Sequence, residues 1–304
     1  MIQVEKFLSL SIPVITFQGN KAHFVKQVLQ ITDSNFDKES IAWCSDKNKE
    51  ILSSINHGTI ILSENSFDYI KEVNKEWSKI NWIVVEHPRS FFSLVLNTFF
   101  ITVPKTGIIE KSANIHPSVN INSSCYIGNN VVIEEGVILG INIRINHNTS
   151  ILSNTVIHDN VSIGCNCTIG GVGFGYELNP DGSYEVIPHI GNVELMDNTE
   201  IGNNVCIDRA VLGSTVLHKN VKVDNLVHIA HGVQIGENSL IIANAMIAGS
   251  VTIGKNVWVA PSSSIIQKIE VGDNSLIGIG STVLKHVEES TIVAGSPAKK
   301  IKSK

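Results

Sequence analysis

An aliphatic residue recurs at every sixth position through most of residues 109–283 of this chain. One series runs without a miss through Ile109, Ile115, Ile121, Ile127, Ile133, Leu139, Ile145, Ile151, Ile157, Ile163 and Ile169. A second series runs through Val211, Leu217, Val223, Ile229, Ile235, Ile241, Ile247, Ile253, Val259, Ile265, Val271, Ile277 and Val283. A period of six fits neither an α-helix nor a simple alternating strand, and it is typical of a β-helix in which three hexapeptides form one coil of about 18 residues. The repeat predicts a mainly β protein built on a parallel β-helix, in which residue n lies beside residue n+18.

Residues 1–105 lack this period and have the pattern of a small α/β domain. Short strands are expected at 41–44, 59–62 and 82–85, and helices at 21–31, 47–55, 67–77 and 88–100. The sequence PKTG at 104–107 is the expected joint. The predicted organisation is an α/β domain over 1–105, a β-helix domain over 106–290 with an inserted loop at 170–190, and a short tail at 291–304.

The bulk composition narrows the possible partners. The net charge is −5 and the lysines cluster only in the tail, so no nucleic-acid partner is expected. No apolar run approaches the roughly 20 residues of a transmembrane segment, and the N-terminus lacks a signal-peptide layout. The five cysteines follow no disulfide framework, which indicates reduced thiols and a cytoplasmic location. Cys125 and Cys167 each fall four residues after an aliphatic position, so we expect them in the core.

The repeat breaks between Ile169 and Leu195, where the insert GGVGFGYELNPDGSYEVIPHIG is rich in glycine and aromatic residues. Its NPDG sequence at 179–182 predicts a turn at the tip of a protruding hairpin or loop. Loops that leave a rigid scaffold commonly carry binding residues. The insert is therefore a candidate part of a functional site.

The densest cluster of polar residues in the repeat is the sequence DNLVHIAHG at 224–232. His231 follows Ile229 by two residues, which turns it outward from the core, and histidine readily accepts a proton near neutral pH. Eighteen residues further on, Gly249 allows a close approach and offers a bare backbone N–H. This pair predicts a base beside an amide donor, a constellation suited to acyl transfer. Four further histidines, His158, His189, His218 and His228, are weaker candidates, and most of them are expected to be solvated turn or face residues.

Several segments resemble the UDP-3-O-acylglucosamine N-acyltransferases of lipid A biosynthesis. The sequence IDRAVLGSTVLHKNVKVDNLVHIAHGVQIG is similar to that family's pattern IDRG…DT…IDN…IAHN…IG, and the insert is similar to its GFGY…IPQ.G loop. IAWCSDKNKE and VVEHPRSFFSLVLNTFF resemble parts of the family's N-terminal domain. The resemblance covers nearly the whole chain.

The resemblance implies a left-handed β-helix that assembles as a homotrimer and carries a uridine-binding-like N-terminal domain. It implies an enzyme without a tightly bound cofactor, which transfers a 3-hydroxyacyl chain from acyl carrier protein to the 2-amino group of a UDP-linked glucosamine. No Ser or Cys beside the histidine calls for an acyl-enzyme, so direct attack by the amine is the simpler scheme.

The resemblance also assigns roles to individual residues. His231 matches the general base, Asp224 its supporting carboxylate and Asn225 a polar neighbour of the intermediate. Gly249 matches the oxyanion-binding N–H. Trp43 falls where the family stacks an aromatic ring on uracil, and Phe174, Gly175 and Tyr176 match the loop near the active site.

Three features depart from the family. Asp46 and Lys49 stand where the family commonly has Asn and Tyr in its uridine pocket, and Lys268 stands where a substrate-side histidine is expected. The end of the chain, AGSPAKKIKSK, resembles the closing GxPAK segment of CoA-dependent sugar acetyltransferases. These departures favour, as an alternative, a CoA-dependent N-acetyl- or N-acyltransferase that acts on a UDP- or dTDP-amino sugar for surface polysaccharide.

The sequence disfavours two other classes of protein. A metallo-hydratase similar to the γ-type carbonic anhydrases needs three converging histidines. The 18-residue spacing places Gly213 and Gly249 one coil before and after His231, so no second imidazole is expected to stack on it. A non-catalytic scaffold or sugar-binding module is disfavoured by the insert and by the polar residues around His231.

Overall fold

The computed structural model describes residues 1–101 and 106–304, and the chain divides into two compact units, one up to residue 104 and one from residue 105. The first half of the predicted joint at 104–107 lies outside the described residues. The strands of the first unit are β1 (Ile2–Gln3), β2 (Thr16–Gln18), β3 (Phe24–Val25), β4 (Gln27–Val28), β5 (Ser40–Trp43), β6 (Thr59–Leu62) and β7 (Asn81–Val84). Its helices are α1 (Val4–Leu8), α2 (Glu64–Val73) and α3 (Pro88–Val95), with 3₁₀ helices at Asp46–Ser54 and Trp77–Lys79 and a π-helical segment at Leu96–Phe100.

The first unit is an α/β sandwich around a sheet in the order β2-β7-β6-β5-β4, of which β4 to β7 run parallel. Strand β6 is buried on both sides: Ile60 belongs to one core cluster and Ile61 to the other. A parallel strand covered on both faces favours a continuous aliphatic run, which explains the sequence TIIL. The unit therefore has two apolar layers of its own.

Most of the secondary structure predicted for this unit is confirmed. The three predicted strands correspond to β5, β6 and β7 to within a residue at each end. The predicted helices at 47–55, 67–77 and 88–100 correspond to the 3₁₀ helix and to α2 and α3. The helix predicted at 21–31 is wrong, because Gln27 and Val28 pair in parallel with Ser40 and Ile41 as part of the sheet. Tertiary pairing overrides the local helical spacing there.

The second unit is a parallel β-helix with three flat faces. Face 1 contains Ile108–Ile109, Tyr126–Ile127, Arg144–Ile145, Ser162–Ile163, Glu200–Ile201, Lys222–Val223, Leu240–Ile241, Trp258–Val259, Leu276–Ile277 and Thr291–Ala294. Face 2 contains Asn114–Ile115, Val132–Ile133, Ser150–Ile151, Thr168–Gly171, Cys206–Asp208, His228–Ile229, Met246–Ile247, Ser264–Ile265 and Thr282–Val283. Face 3 contains Ile138–Leu139, Val156–Ile157, Asn192–Leu195, Ser214–Leu217, Gln234–Ile235, Thr252–Ile253 and Glu270–Val271.

The hexapeptide prediction is confirmed by the register of these strands. On face 2, Ile229 pairs with Ile247 and Ile247 with Ile265, at the expected spacing of 18 residues. The repeated aliphatic side chains point inward and form one continuous apolar core, in which Cys125 and Cys167 are also buried. Where the coil turns a corner, the chain repeatedly places an asparagine at positive φ, a conformation that asparagine tolerates better than most residues.

Two excursions leave the coil on one edge, between faces 2 and 3. The first, the predicted insert, carries a two-stranded antiparallel hairpin of Tyr176–Leu178 and Tyr184–Val186. The second is a four-residue lengthening before face 3, because Ile207 pairs with Ile229 at a spacing of 22 residues. We name this edge, with both excursions, the site edge. Its backbone joins the two excursions, since Ile190 and Gly191 donate to the carbonyl of Val211.

The second excursion corrects part of the predicted frame. Val211 is only partly buried and lies outside the core cluster, so the second aliphatic series starts at Leu217. Counting from face 2, where Ile207 pairs with Ile229, gives Arg209 as the neighbour of His231, whereas counting from face 3, where Val216 pairs with Gln234, gives Gly213, so the four extra residues lie at this corner itself. At the end of the chain, Lys299–Ser303 returns antiparallel to Thr291–Ala294 on face 1. No helix in the described ranges is both long enough and apolar enough to cross a bilayer.

Candidate active site

His231 and Gly249 meet on the site edge, in adjacent coils. A Cβ built on Gly249 would lie 2.7 Å from both Cε1 and Nε2 of the His231 ring, so only glycine leaves room for the imidazole. The backbone is fixed on either side, because Ser250 N–H donates to the His231 carbonyl (2.9 Å) and Lys268 N–H donates to the Gly249 carbonyl (3.0 Å). Within the described residues the Gly249 N–H itself has no acceptor. The edge therefore holds a base beside an available amide donor.

The insert closes over the other side of His231. A Cβ on Gly173 would lie 2.8 Å from His189 Nε2 and 2.9 Å from His231 Cβ, so the insert backbone touches both histidines. The His189 ring packs edge-on against His231 with centroids 5.2 Å apart. His189 is 7% exposed, and the expectation that it is solvated is wrong. Phe174, Gly175 and Tyr176 therefore follow directly after Gly173, the residue that contacts His231.

The surroundings of His231 favour its neutral form. Burial is the main reason why the pKa of His231 lies below its usual value of 6.5, and the neighbouring His189 lowers it further. A base must be unprotonated to accept a proton, so a lowered pKa keeps it competent at neutral pH.

Asp208 and Arg209 lie one coil before His231. The Asp208 carboxylate is 3.6 Å from His228 Nε2 and its side chain is 14% exposed. Burial raises the pKa of Asp208, and His228 and His189 partly offset that rise. Arg209 Nε donates to the carbonyl of Gly170 (2.7 Å), which ties the start of the insert to the coil. Sequence reasoning missed both residues because the four-residue lengthening hides their register.

Lys268 and the aromatic residues of the insert share this edge. Lys268 lies one coil beyond Gly249 at φ 61°, a left-handed conformation that is costly for a lysine. Phe174 is 87% exposed and its ring lies 4.9 Å from that of Tyr176. Gly175 contacts the His189 ring, where an added Cβ would lie 3.0 Å from Cε1. These four predicted residues are thus brought to the same edge as His231.

Asp224 and Asn225 occupy a different edge, between faces 1 and 2. The Asp224 carboxylate accepts the N–H groups of Asn225 (2.7 Å) and Ala243 (3.2 Å). The Asn225 side-chain oxygen accepts the N–H of Asn203 (2.7 Å). Both residues are exposed and, within one chain, serve the corner in which they lie.

The three remaining predicted residues lie in the first unit. Trp43 lines a cavity of about 470 Å³ together with Phe92, Gln30, Thr32, Ser45 and Asn48. Asp46 and Lys49 do not line this cavity. Asp46 accepts hydrogen bonds from Ser63 and from Ser66 (2.6 Å) at the start of α2, and these hydroxyls lower its pKa. Lys49 lies over the Tyr69 ring of α2, 5.1 Å from its centroid.

The described residues contain no group of side chains arranged to bind a metal ion. No three His, Cys, Asp or Glu side chains converge into a metal-binding group within residues 1–101 and 106–304. His228 faces Asp208 from face 2, whereas His231 lies at the corner.

Comparison with known proteins agrees with this architecture. Residues 214–249 match the family model of the bacterial transferase hexapeptide, which spans six repeats. Francisella novicida UDP-N-acetylglucosamine acyltransferase superposes with a TM-score of 0.60 at 24% identity, covering 64% of this chain and 70% of that one. LpxA from Acinetobacter baumannii superposes with a TM-score of 0.58 at 25% identity, covering 64% and 73% of the two chains. The second unit is thus a left-handed parallel β-helix of the hexapeptide-repeat class.

Sequence similarity is more specific than the fold. UDP-3-O-acylglucosamine N-acyltransferase from Chlorobium luteolum is 56% identical over 80 residues, which cover 26% of this chain and 23% of the relative. The enzyme of the same name from Desulfotalea psychrophila is 54% identical over 134 residues, covering 44% and 39%. The chain therefore matches less than half the length of these curated relatives. Over that length it is a relative of the UDP-3-O-acylglucosamine N-acyltransferase family.

Proposed function

We propose that this protein is an N-acyltransferase that moves an acyl group from a phosphopantetheine thioester to the amino group of a nucleotide-linked amino sugar. The observation that carries the proposal is the contact between the His231 imidazole and Gly249, whose N–H points to no acceptor in the described residues. His231 removes a proton as the amine adds to the thioester carbonyl. The Gly249 N–H stabilises the oxygen that becomes anionic, and collapse of this intermediate releases the thiol.

The proposal includes a homotrimer. Asp224 and Asn225, which the family resemblance assigns to the same site as His231, lie on another edge of the same chain. They can therefore support a His231 only if it belongs to a second copy. Sedimentation equilibrium tests the assembly, and mixing of an Asp224→Ala chain with a His231→Ala chain tests the shared site. Recovered activity in the mixed trimers supports it, and strictly additive inactivation contradicts it.

We further propose that the cavity beside Trp43 binds the base of the nucleotide. An indole and a phenyl ring on its wall suit stacking on a flat heterocycle, and Gln30, Thr32, Ser45 and Asn48 supply hydrogen-bonding groups. Asp46 and Lys49, which stand where the family has Asn and Tyr, contact α2 and do not enter this cavity.

The most specific form of the proposal is transfer of a 3-hydroxyacyl group from acyl carrier protein to UDP-3-O-acylglucosamine, in the cytoplasm, for lipid A. It rests on the names of the relatives and on the matched residues around His231. The alternative, a CoA-dependent transfer to a UDP- or dTDP-amino sugar, rests on the terminal GSPAKK sequence. The two differ in donor and acceptor and share the chemistry at His231.

One screen tests these forms together. Acyl carrier protein and CoA thioesters are each combined with UDP-glucosamines and dTDP-amino sugars, and release of free thiol is measured. His231→Ala is expected to lower kcat by about 10²- to 10⁴-fold with the productive pair. His218→Gln, just after the face 3 strand Ser214–Leu217 and away from the site edge, serves as the matched control with unchanged turnover. Near-normal turnover of His231→Ala, or no thiol release with any pair, contradicts the proposal.

A further inference from the structure

The His189 side chain poses a chemical question that the proposed reaction leaves open. Its Nδ1 lies 2.6 Å from the Ile187 carbonyl, and because a carbonyl can only accept, Nδ1 carries the hydrogen. In the neutral ring Nε2 is then a bare acceptor. It is buried and has no hydrogen-bond partner among residues 1–101 and 106–304. Buried polar atoms without a partner are rare, and each one calls for an explanation.

The packing around His189 indicates what this ring does. Its two closest glycine neighbours, Gly173 and Gly175, both belong to the insert, and on its other side it contacts the His231 ring. Any side chain at Gly173 would separate the two imidazoles from the insert, since its Cβ would lie within 3.0 Å of both. Near the end of the insert, the His189 ring therefore packs between the Gly173–Gly175 backbone at the start of the insert and the ring of His231.

We propose that His189 is a positioning residue for His231: it fastens the insert against the base and keeps the imidazole of His231 away from water. The role of His231 as the base rests on the proposed function, whereas the contact between the two rings does not. The bare Nε2 suits this role, because a hydrogen-bond partner there would compete with the ring-on-ring contact.

The charged groups around His189 set the conditions for a test. The Asp208 carboxylate on face 2 is near it, and His228 lies 3.6 Å from the same carboxylate. His231 faces it from the adjacent coil, and its pKa is lowered in part by His189. The neighbouring Arg209 is bound to the Gly170 and Ser153 carbonyls. Burial is the main cause of the lowered pKa of His231, so removing the imidazole at 189, which opens one side of that ring to water, should raise this pKa.

The test uses the full chain with His189→Gln, which keeps a polar side chain but removes the titrating ring. His218→Gln is the matched control. The His231 ring signal is followed by NMR against pH and is identified by its absence in His231→Gln. Hydrogen exchange is measured over residues 172–187. In His189→Gln we expect the titration of His231 to move to higher pH and the insert to exchange at least about tenfold faster, with neither change in the control.

An unchanged titration of His231 overturns the proposal, whether or not the insert exchanges faster, because the ring would then be only an anchor. Should His189→Gln fail to fold, Gly173→Ala tests the same contact and is expected to shift both readouts in the same direction. Neither readout needs an acyl donor. A shifted titration without any acyl transfer would sink the proposed function alone, and acyl transfer with an unshifted titration would sink this inference alone.

Discussion

At the scale of single residues, the candidate site depends on close packing around the His231 ring. Gly249 contacts Cε1 and Nε2 of His231 from one side, and Gly173 and His189 contact the same ring from the other. The sequence placed His231 and Gly249 together because the two are 18 residues apart. It did not place His189, because that residue lies inside the first excursion and the second excursion separates it from His231.

The pH dependence of activity follows from the burial of His231. Because its pKa lies below 6.5, the base form persists to lower pH than for an exposed histidine. We expect the acid limb of kcat/KM to lie below pH 6.5 and to fall about tenfold per pH unit beneath it. A pH profile with the productive substrate pair measures this. An acid limb above pH 6.5 that does not follow the titration of the substrate amine would contradict the environment described for the ring.

Gly249→Ala probes the contact between the base and the amide donor. Its new methyl group would fall 2.7 Å from the His231 ring and displace it. We expect kcat to fall by about 10²-fold or more, in the range seen when an oxyanion donor is lost. Gly171→Ala is the matched control, because its Cβ would come no closer than 3.4 Å to Asp208. Equal activity of the two variants would remove Gly249 from the proposed machinery.

At the scale of elements, the corners of the coil matter as much as its strands. The asparagines at positive φ stack into ladders, as in the bond from Asn220 Nδ2 to Asn238 Oδ1 (2.8 Å). Leu226 interrupts such a column between Asn204 and Asn244, at φ 61° and 59% exposed. An exposed leucine in this conformation gains nothing from packing and carries the strain of the left-handed region.

Leu226→Asn should therefore stabilise the coil. Asparagine tolerates positive φ and can extend the ladder toward Asn244, so we expect a gain of about 1 kcal/mol in the free energy of unfolding. Denaturant unfolding with an unchanged m-value measures it. The reverse substitution, Asn244→Leu, is expected to cost a similar amount, about 1 kcal/mol. A destabilising effect of Leu226→Asn would show that the leucine makes a contact that the single chain does not display.

At the scale of the whole molecule, the chain contains two units with separate apolar cores. The coil core is one continuous column of inward aliphatic residues, whereas the first unit has two layers on either side of its sheet. Each of the two units should therefore lose stability through its own core. Ile60 lies in a layer of the first unit and Ile229 in the coil column, and both are fully buried.

Ile60→Ala and Ile229→Ala form a matched pair for this expectation. Each should destabilise its own unit by about 2–5 kcal/mol through lost burial and the cavity left behind. Hydrogen exchange followed by mass spectrometry reports the two units separately. We expect faster exchange over residues 1–101 for the first variant and over residues 106–304 for the second. Faster exchange in both units from either substitution would contradict separate cores.

The sequence by itself determined the coil, its 18-residue register and the meeting of His231 with Gly249. A period of six fixes which side chains point inward and which residues are neighbours, so those features need no knowledge of distant contacts. Strands β5, β6 and β7 of the first unit could also be predicted from the sequence, because buried parallel strands favour continuous aliphatic runs.

Only the tertiary structure decided where the repeat is interrupted and what the interruptions touch. The four-residue lengthening lies at the corner beside His231, between Ile207 and Val216, and pairing with Ser40 and Ile41 turned a helical pattern at 21–31 into strands. The tertiary structure also places Asp46 and Lys49 against α2 and leaves Asp224 on a separate edge from His231. It buries His189 against the His231 ring. These outcomes depend on excursions and strand pairings that follow no repeat. The spatial neighbours of a residue cannot be found by counting along the sequence across such segments.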